Sequence, residues 1–64
     1  MPSADQVAYF RRYFGVGAND PVVDAAISEA LVDFKTRYPK LDPLKNTHEV
    51  YSNALRRLDA APWA

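Results

Sequence analysis

An Asp20-Pro21 pair and a Tyr38-Pro39 pair bracket an eighteen-residue stretch, and this bracket constrains the fold more than any other feature of the chain. Aspartate caps a helix by accepting hydrogen bonds from its first free amides, and proline fits the first helical position, where its missing N–H costs nothing. At the far end, Pro39 disfavours helical geometry in the residue before it. Between the two marks, Val23, Ile27, Ala30, Leu31, Phe34 and Tyr38 recur at helical spacing and form one apolar stripe. The spacing predicts a helix over 21–38, a rod of roughly 27 Å. Asp24, Ser28, Glu29, Asp33, Lys35 and Thr36 fall off the stripe, and Asp33 precedes Arg37 in the favourable i,i+4 order.

Two further helices flank this spine. Ser3 and Gln6 have the spacing of a capping box, Asp5 suits the first turn, and Gly15 supplies a left-handed stop, which predicts a helix over 4–14. Its apolar face is Val7, Phe10, Tyr13 and Phe14, with Arg11 and Arg12 mainly on the other side. The third helix is expected over 47–60, capped by Asn46 with Glu49 at the capping-box position and closed by Pro62. Val50, Tyr51, Ala54, Leu55 and Leu58 are its inward stripe. The linker from Pro39 to Lys45 carries two prolines that block regular structure, and Leu41 and Leu44 are expected to tuck against the helices. The period-two alternation of a strand is absent. The expected architecture is therefore all-α: a small three-helix domain with a long central helix, occupying residues 1–64 as a single unit.

Size and composition narrow the function. At 64 residues without cysteine, the chain has neither a disulfide nor a cysteine-rich zinc site to staple a small core. Helix packing, oligomerisation or docking on a partner remain as sources of stability. Eight basic residues balance eight acidic ones, so no strong field drives sequence-independent nucleic-acid binding. No apolar run reaches the ~18–20 residues of a membrane span, and no membrane partner is expected. Met1-Pro2-Ser3-Ala4-Asp5 lacks the basic and apolar regions of a secretion signal, so synthesis in the cytoplasm is the default expectation.

Catalytic chemistry finds little support in these residues. His48 is the single histidine, and Glu49 beside it points in another direction along the helix. Metal binding needs several converging ligands, and the pair Asp20 and Asp24 suits capping and dipole compensation better. Gly15-Val16-Gly17 is a helix stop, not a phosphate loop. No catalytic, cofactor-binding or metal-binding residue is assigned, and an enzyme is not expected. A helix-turn-helix regulator using Arg56 and Arg57 is an alternative. Against it stand the long proline-rich connection, Glu49 at the start of the recognition helix, and the neutral charge.

Protein association is favoured by what the helical stripes leave over. Ala25 and Val32 fall opposite the main stripe, with Val22 at its flank. Trp63 is a large aromatic on a short tail, and eight aromatics among 64 residues is a high share for three short helices. Val32 is read equally well as one isolated exposed apolar residue. The candidate interface comprises Val22, Ala25, Val32, Leu41, Leu44 and Trp63.

The helix order, with Asn19-Asp20-Pro21 opening a long helix, Arg37-Tyr38-Pro39 closing it, a Leu/Pro linker and Ala54-Leu55-Arg56-Arg57-Leu58, resembles the head–tail connector (adaptor) proteins of tailed bacteriophages. The opening Asp5-Gln6-Val7-Ala8-Tyr9-Phe10 and the run from Val22 to Ala30 also fit that pattern, so the resemblance spans roughly residues 5–60. It implies a non-enzymatic structural protein of the virion, made in the host cytoplasm. Copies would form a ring docked on the portal protein, receive tail or neck proteins, and surround a channel through which viral DNA passes. Another minor virion component, or a module that binds a host protein, fits the same residues.

Overall fold

A computed structural model describes residues 3–15 and 20–60. Three α-helices follow one another: α1 (Ala4–Phe14), α2 (Pro21–Arg37) and α3 (Thr47–Ala60), with a short 3-10 turn at Pro43–Lys45 before the last. No strand occurs among the described residues. The protein is a small all-α domain built on a long central helix.

The local signals act as their chemistry dictates. The Ser3 hydroxyl accepts from the Gln6 amide at 3.2 Å, and the Ser3 amide donates back to the Gln6 side chain at 3.4 Å. Gly15 ends α1 with φ at 64°, and its N–H donates to the Arg12 carbonyl at 3.3 Å. A Cβ there would meet no neighbour, so the demand for glycine is purely one of backbone conformation. One carboxylate oxygen of Asp20 accepts from both the Val22 and the Val23 amide at 3.2 Å. Asp20→Ala is expected to cost about 1 kcal/mol, measurable as a lower midpoint in thermal unfolding followed by circular dichroism.

The core lies where the three helices meet. Val7 and Phe10 enter from α1, Val23, Ala26, Ile27, Ala30, Leu31 and Phe34 from α2, and Val50 and Ala54 from α3, with Phe14 and Leu58 packed at its edge. The most extensive contact is between α2 and α3, which run antiparallel; α1 packs against both and touches α2 more than α3.

The structure corrects four expectations. Helix α2 ends at Arg37, and Tyr38 leaves helical geometry at φ −131°, ψ 68°, pressed there by Pro39, so its ring is 42% exposed. Tyr13 and Leu55 also lie outside the core, because each sits about 100° around its helix from a packed neighbour, Phe14 or Ala54, beyond the sector that two partner helices cover. Leu41 and Leu44 do not tuck inward. Asp42 accepts from the Leu44 amide at 2.9 Å and winds the linker into the 3-10 turn, which buries Pro43 and turns both leucines out. Asn46 does not cap α3 through its side-chain oxygen; its amide group donates instead to the Asp42 carbonyl at 2.9 Å.

Candidate interaction surfaces

An aromatic strip runs from α1 onto the start of α3. Tyr9 and Tyr13 are one turn apart with ring centroids at 6.1 Å, and Phe10 lies beneath them at 5.5 and 5.9 Å. Tyr51 of α3 continues the strip, 5.6 Å from Tyr13 and 4.9 Å from Phe14. Phe10 is fully buried, while Tyr9 and Tyr13 show about two fifths of their surface to solvent. The strip is thus a graded structure whose inner rings hold the fold and whose outer rings face outward. Arg12 closes a shallow depression between the two tyrosines. The Thr47 hydroxyl, placed to hydrogen-bond the Tyr13 oxygen, holds that phenol below its ordinary pKa, with Tyr9 adding to the effect. Tyr9 shifts the opposite way, chiefly because it donates toward Tyr13. Rigid rings carrying polar tips, beside a guanidinium, are the side chains that contribute most per residue to protein association.

A second surface forms where α2 passes into α3. The Leu41 amide donates to the Tyr38 carbonyl at 3.0 Å, and the Lys45 amide to the Asp42 carbonyl at 3.0 Å, so two hydrogen-bonded turns follow directly on each other. Buried Pro43 pins them to the helices, and the Tyr38 ring rests 5.2 Å from that of Phe34. Tyr38, Leu41 and Leu44 project outward from this knuckle, among Lys35, Lys40 and Lys45.

Charged side chains join the helices elsewhere. Arg11 grips Asp24 with two parallel bonds of 2.9 Å, and its own pKa is raised chiefly by that hydrogen bonding. On the other side of α2, Asp33 accepts from Asn53 at 2.7 Å and from Arg37 at 3.3 Å. Its carboxyl is held below the ordinary range, first by the Asn53 bond and then by the nearby guanidiniums. Arg57 donates to Asn53 at 2.8 Å and to Glu29 at 3.2 Å.

The residues singled out from sequence scatter over these surfaces. Leu41 and Leu44 share the knuckle. Ala25 and Val32 are exposed on the outer side of α2, Val22 is half-buried beside them, and Val32 lies about 120° around the helix from the direction of Tyr38. Trp63 lies outside the described residues. Arg57 is engaged with Glu29 and Asn53, and Arg56 is exposed. His48 is exposed in the first turn of α3. Among the described residues no three His, Cys, Asp or Glu side chains are placed to share a metal ion, and no helix is long and apolar enough to cross a membrane. The strip formed by Tyr9, Tyr13 and Tyr51 escaped the sequence reading because Tyr13 counted toward the core. The i,i+4 pair Tyr9–Tyr13, with Arg12 between, is the signal that would have found it. No protein family, no curated protein and no solved structure matches this chain.

Proposed function

We propose that this chain is a non-enzymatic adaptor that works by fitting to other protein chains. In the most specific form of this reading it joins head and tail in a tailed bacteriophage, as copies in a ring between portal and tail or neck proteins. The observation that carries it is the aromatic strip: Tyr9 and Tyr13 are held in register by Phe10 and Tyr51 yet remain outside the core. A small domain that orders large rings at its surface spends their entropy before binding, which favours association. The helix order resembling head–tail connectors supports the phage form.

Native mass spectrometry of the purified chain, alone and with portal and tail-completion proteins, tests this reading. Defined complexes are expected. A monomer that ignores every such partner would count against it. The double substitution Tyr9→Ser, Tyr13→Ser should weaken the complex roughly tenfold or more while lowering the thermal midpoint far less than a core substitution does, because both rings lie outside the core. Equal affinity for the double variant would remove the strip from the interface. The DNA-binding alternative has less support: a phosphate contact by Arg57 would have to break its bonds to Glu29 and Asn53, which leaves Arg56 as the exposed member of the pair.

A further inference from the structure

The knuckle between α2 and α3 differs from the tyrosine strip in both charge and shape. Residues 35–45 carry four cations, Lys35, Arg37, Lys40 and Lys45, against one carboxylate, Asp42. The rest of the chain carries the remaining four cations and seven acids, so a neutral molecule is electrically polarised. The one acid in the knuckle is committed to the Leu44 amide, and Arg37 is paired with Asp33. Among the described residues, Lys35, Lys40 and Lys45 pair with no carboxylate. Inside this basic field Tyr38, Leu41 and Leu44 are 42%, 45% and 37% exposed.

We propose that this knuckle is a preformed docking surface for an acidic protein segment that carries apolar side chains. Such a segment would lay its apolar groups over Tyr38, Leu41 and Leu44 and set its carboxylates against the three lysines. Charge complementarity identifies the occupant and steers its approach. Two consecutive hydrogen-bonded turns, held by buried Pro43 and by the Asn46 bond to Asp42, fix the surface beforehand, so little ordering cost remains at binding. A lipid surface fits less well. More than half of each apolar side chain is already covered, and a membrane rewards side chains that protrude into its acyl region. Nucleic acid fits less well too: Tyr38 is the single aromatic ring among residues 35–45 on which a base could stack, and Leu41 and Leu44 add aliphatic surface that matches apolar side chains instead. The proposal rests on side chains other than those of the tyrosine strip, so one can fail while the other stands.

Selection from a random peptide library against the immobilised full chain tests it, with competition by phosphatidylserine-containing vesicles and by short duplex DNA. Recovered peptides should combine acidic with aliphatic or aromatic residues. They should shift the backbone amides of residues 35–45 in heteronuclear NMR spectra of the unmodified chain. Their affinity should fall at least about tenfold in the Lys35→Glu, Lys40→Glu, Lys45→Glu variant, and again in a separate Leu41→Ser, Leu44→Ser variant. All five positions are exposed, so unfolding is not expected, and the wild-type amide shifts decide the case even if a variant fails to fold. Peptides without acidic character, amide shifts confined to the tyrosine strip, stronger binding of vesicles or DNA at residues 35–45, or self-association through this face would each overturn the proposal.

Discussion

Replacing Phe10 with alanine is expected to abolish cooperative folding, or to lower the thermal midpoint by more than about 15 °C. Phe10 is the largest fully buried side chain that α1 contributes, and it shares the centre of the core with Ile27, Leu31 and Val50. Removing a buried phenyl ring typically costs about 3–5 kcal/mol, because the lost transfer energy adds to the cavity left behind. At about 0.05–0.15 kcal/mol per residue, a chain of 64 residues has only about 3–10 kcal/mol in total. One substitution therefore consumes a third of the stability or all of it. Tyr13→Ala is the matched control: it removes a neighbouring aromatic ring of which 45% is exposed, and should move the midpoint by a few degrees at most. Thermal melts followed by circular dichroism check both variants together. A Phe10→Ala protein that melts like its parent would mean that α1 is not docked through this ring. The core assignment for that helix would then fall.

The same contrast between Phe10 and Tyr13 marks the boundary of what the sequence discloses. The starts of α1 and α2 were legible because their chemistry is local: Ser3 finds Gln6 three residues on, and Asp20 finds Val22 and Val23. The centre of each apolar stripe was legible for the same reason, since helical period is a local property. Stripe edges were not, because whether Tyr13 or Leu55 is covered depends on where the other helices cross. Ala26 shows the converse error: it is buried at 2% exposure although it did not count toward the stripe of α2. The linker misled in another way. Hydropathy points Leu41 and Leu44 inward, yet one Asp42 hydrogen bond winds the backbone and buries Pro43 in their place. Bonds that cross between helices, such as Arg11 to Asp24 or Asn53 to Asp33, join residues 13 and 20 positions apart and carry no periodic signal. For the interaction surfaces, residue types were legible and their grouping was not. Leu41 and Leu44 were recognised as candidates, but their union with Tyr38 and three lysines depends on the turn.

Ala30→Leu should do the second largest damage, about 1–3 kcal/mol, by wedging α2 away from α3. Ala26, Ala30 and Ala54 are 2%, 0% and 1% exposed, so each small side chain is closed in by its neighbours, and a longer one at Ala30 must displace them. The bonds that tie these helices together, Asp33 to Asn53 and Glu29 to Arg57, come from residues three positions after and one position before Ala30. A leucine that separates the helices should therefore also break the polar ties. Asp33 then reports the event. Its carboxyl is held low chiefly by the Asn53 bond, so it should titrate closer to the ordinary carboxylate range in the variant. The sign for stability follows from the depressed pKa. The carboxylate's contribution is fully present above the pKa of the unfolded chain and is lost as pH falls through the folded value. The stability gap between parent and Ala30→Leu should accordingly narrow in acid. Carboxyl-carbon NMR titration of Asp33, together with thermal melts at neutral and acidic pH, measures both effects. An unchanged Asp33 titration with an unchanged midpoint would mean that the helices have space to spare at Ala30. The polar ties would then owe nothing to close approach of the two helices.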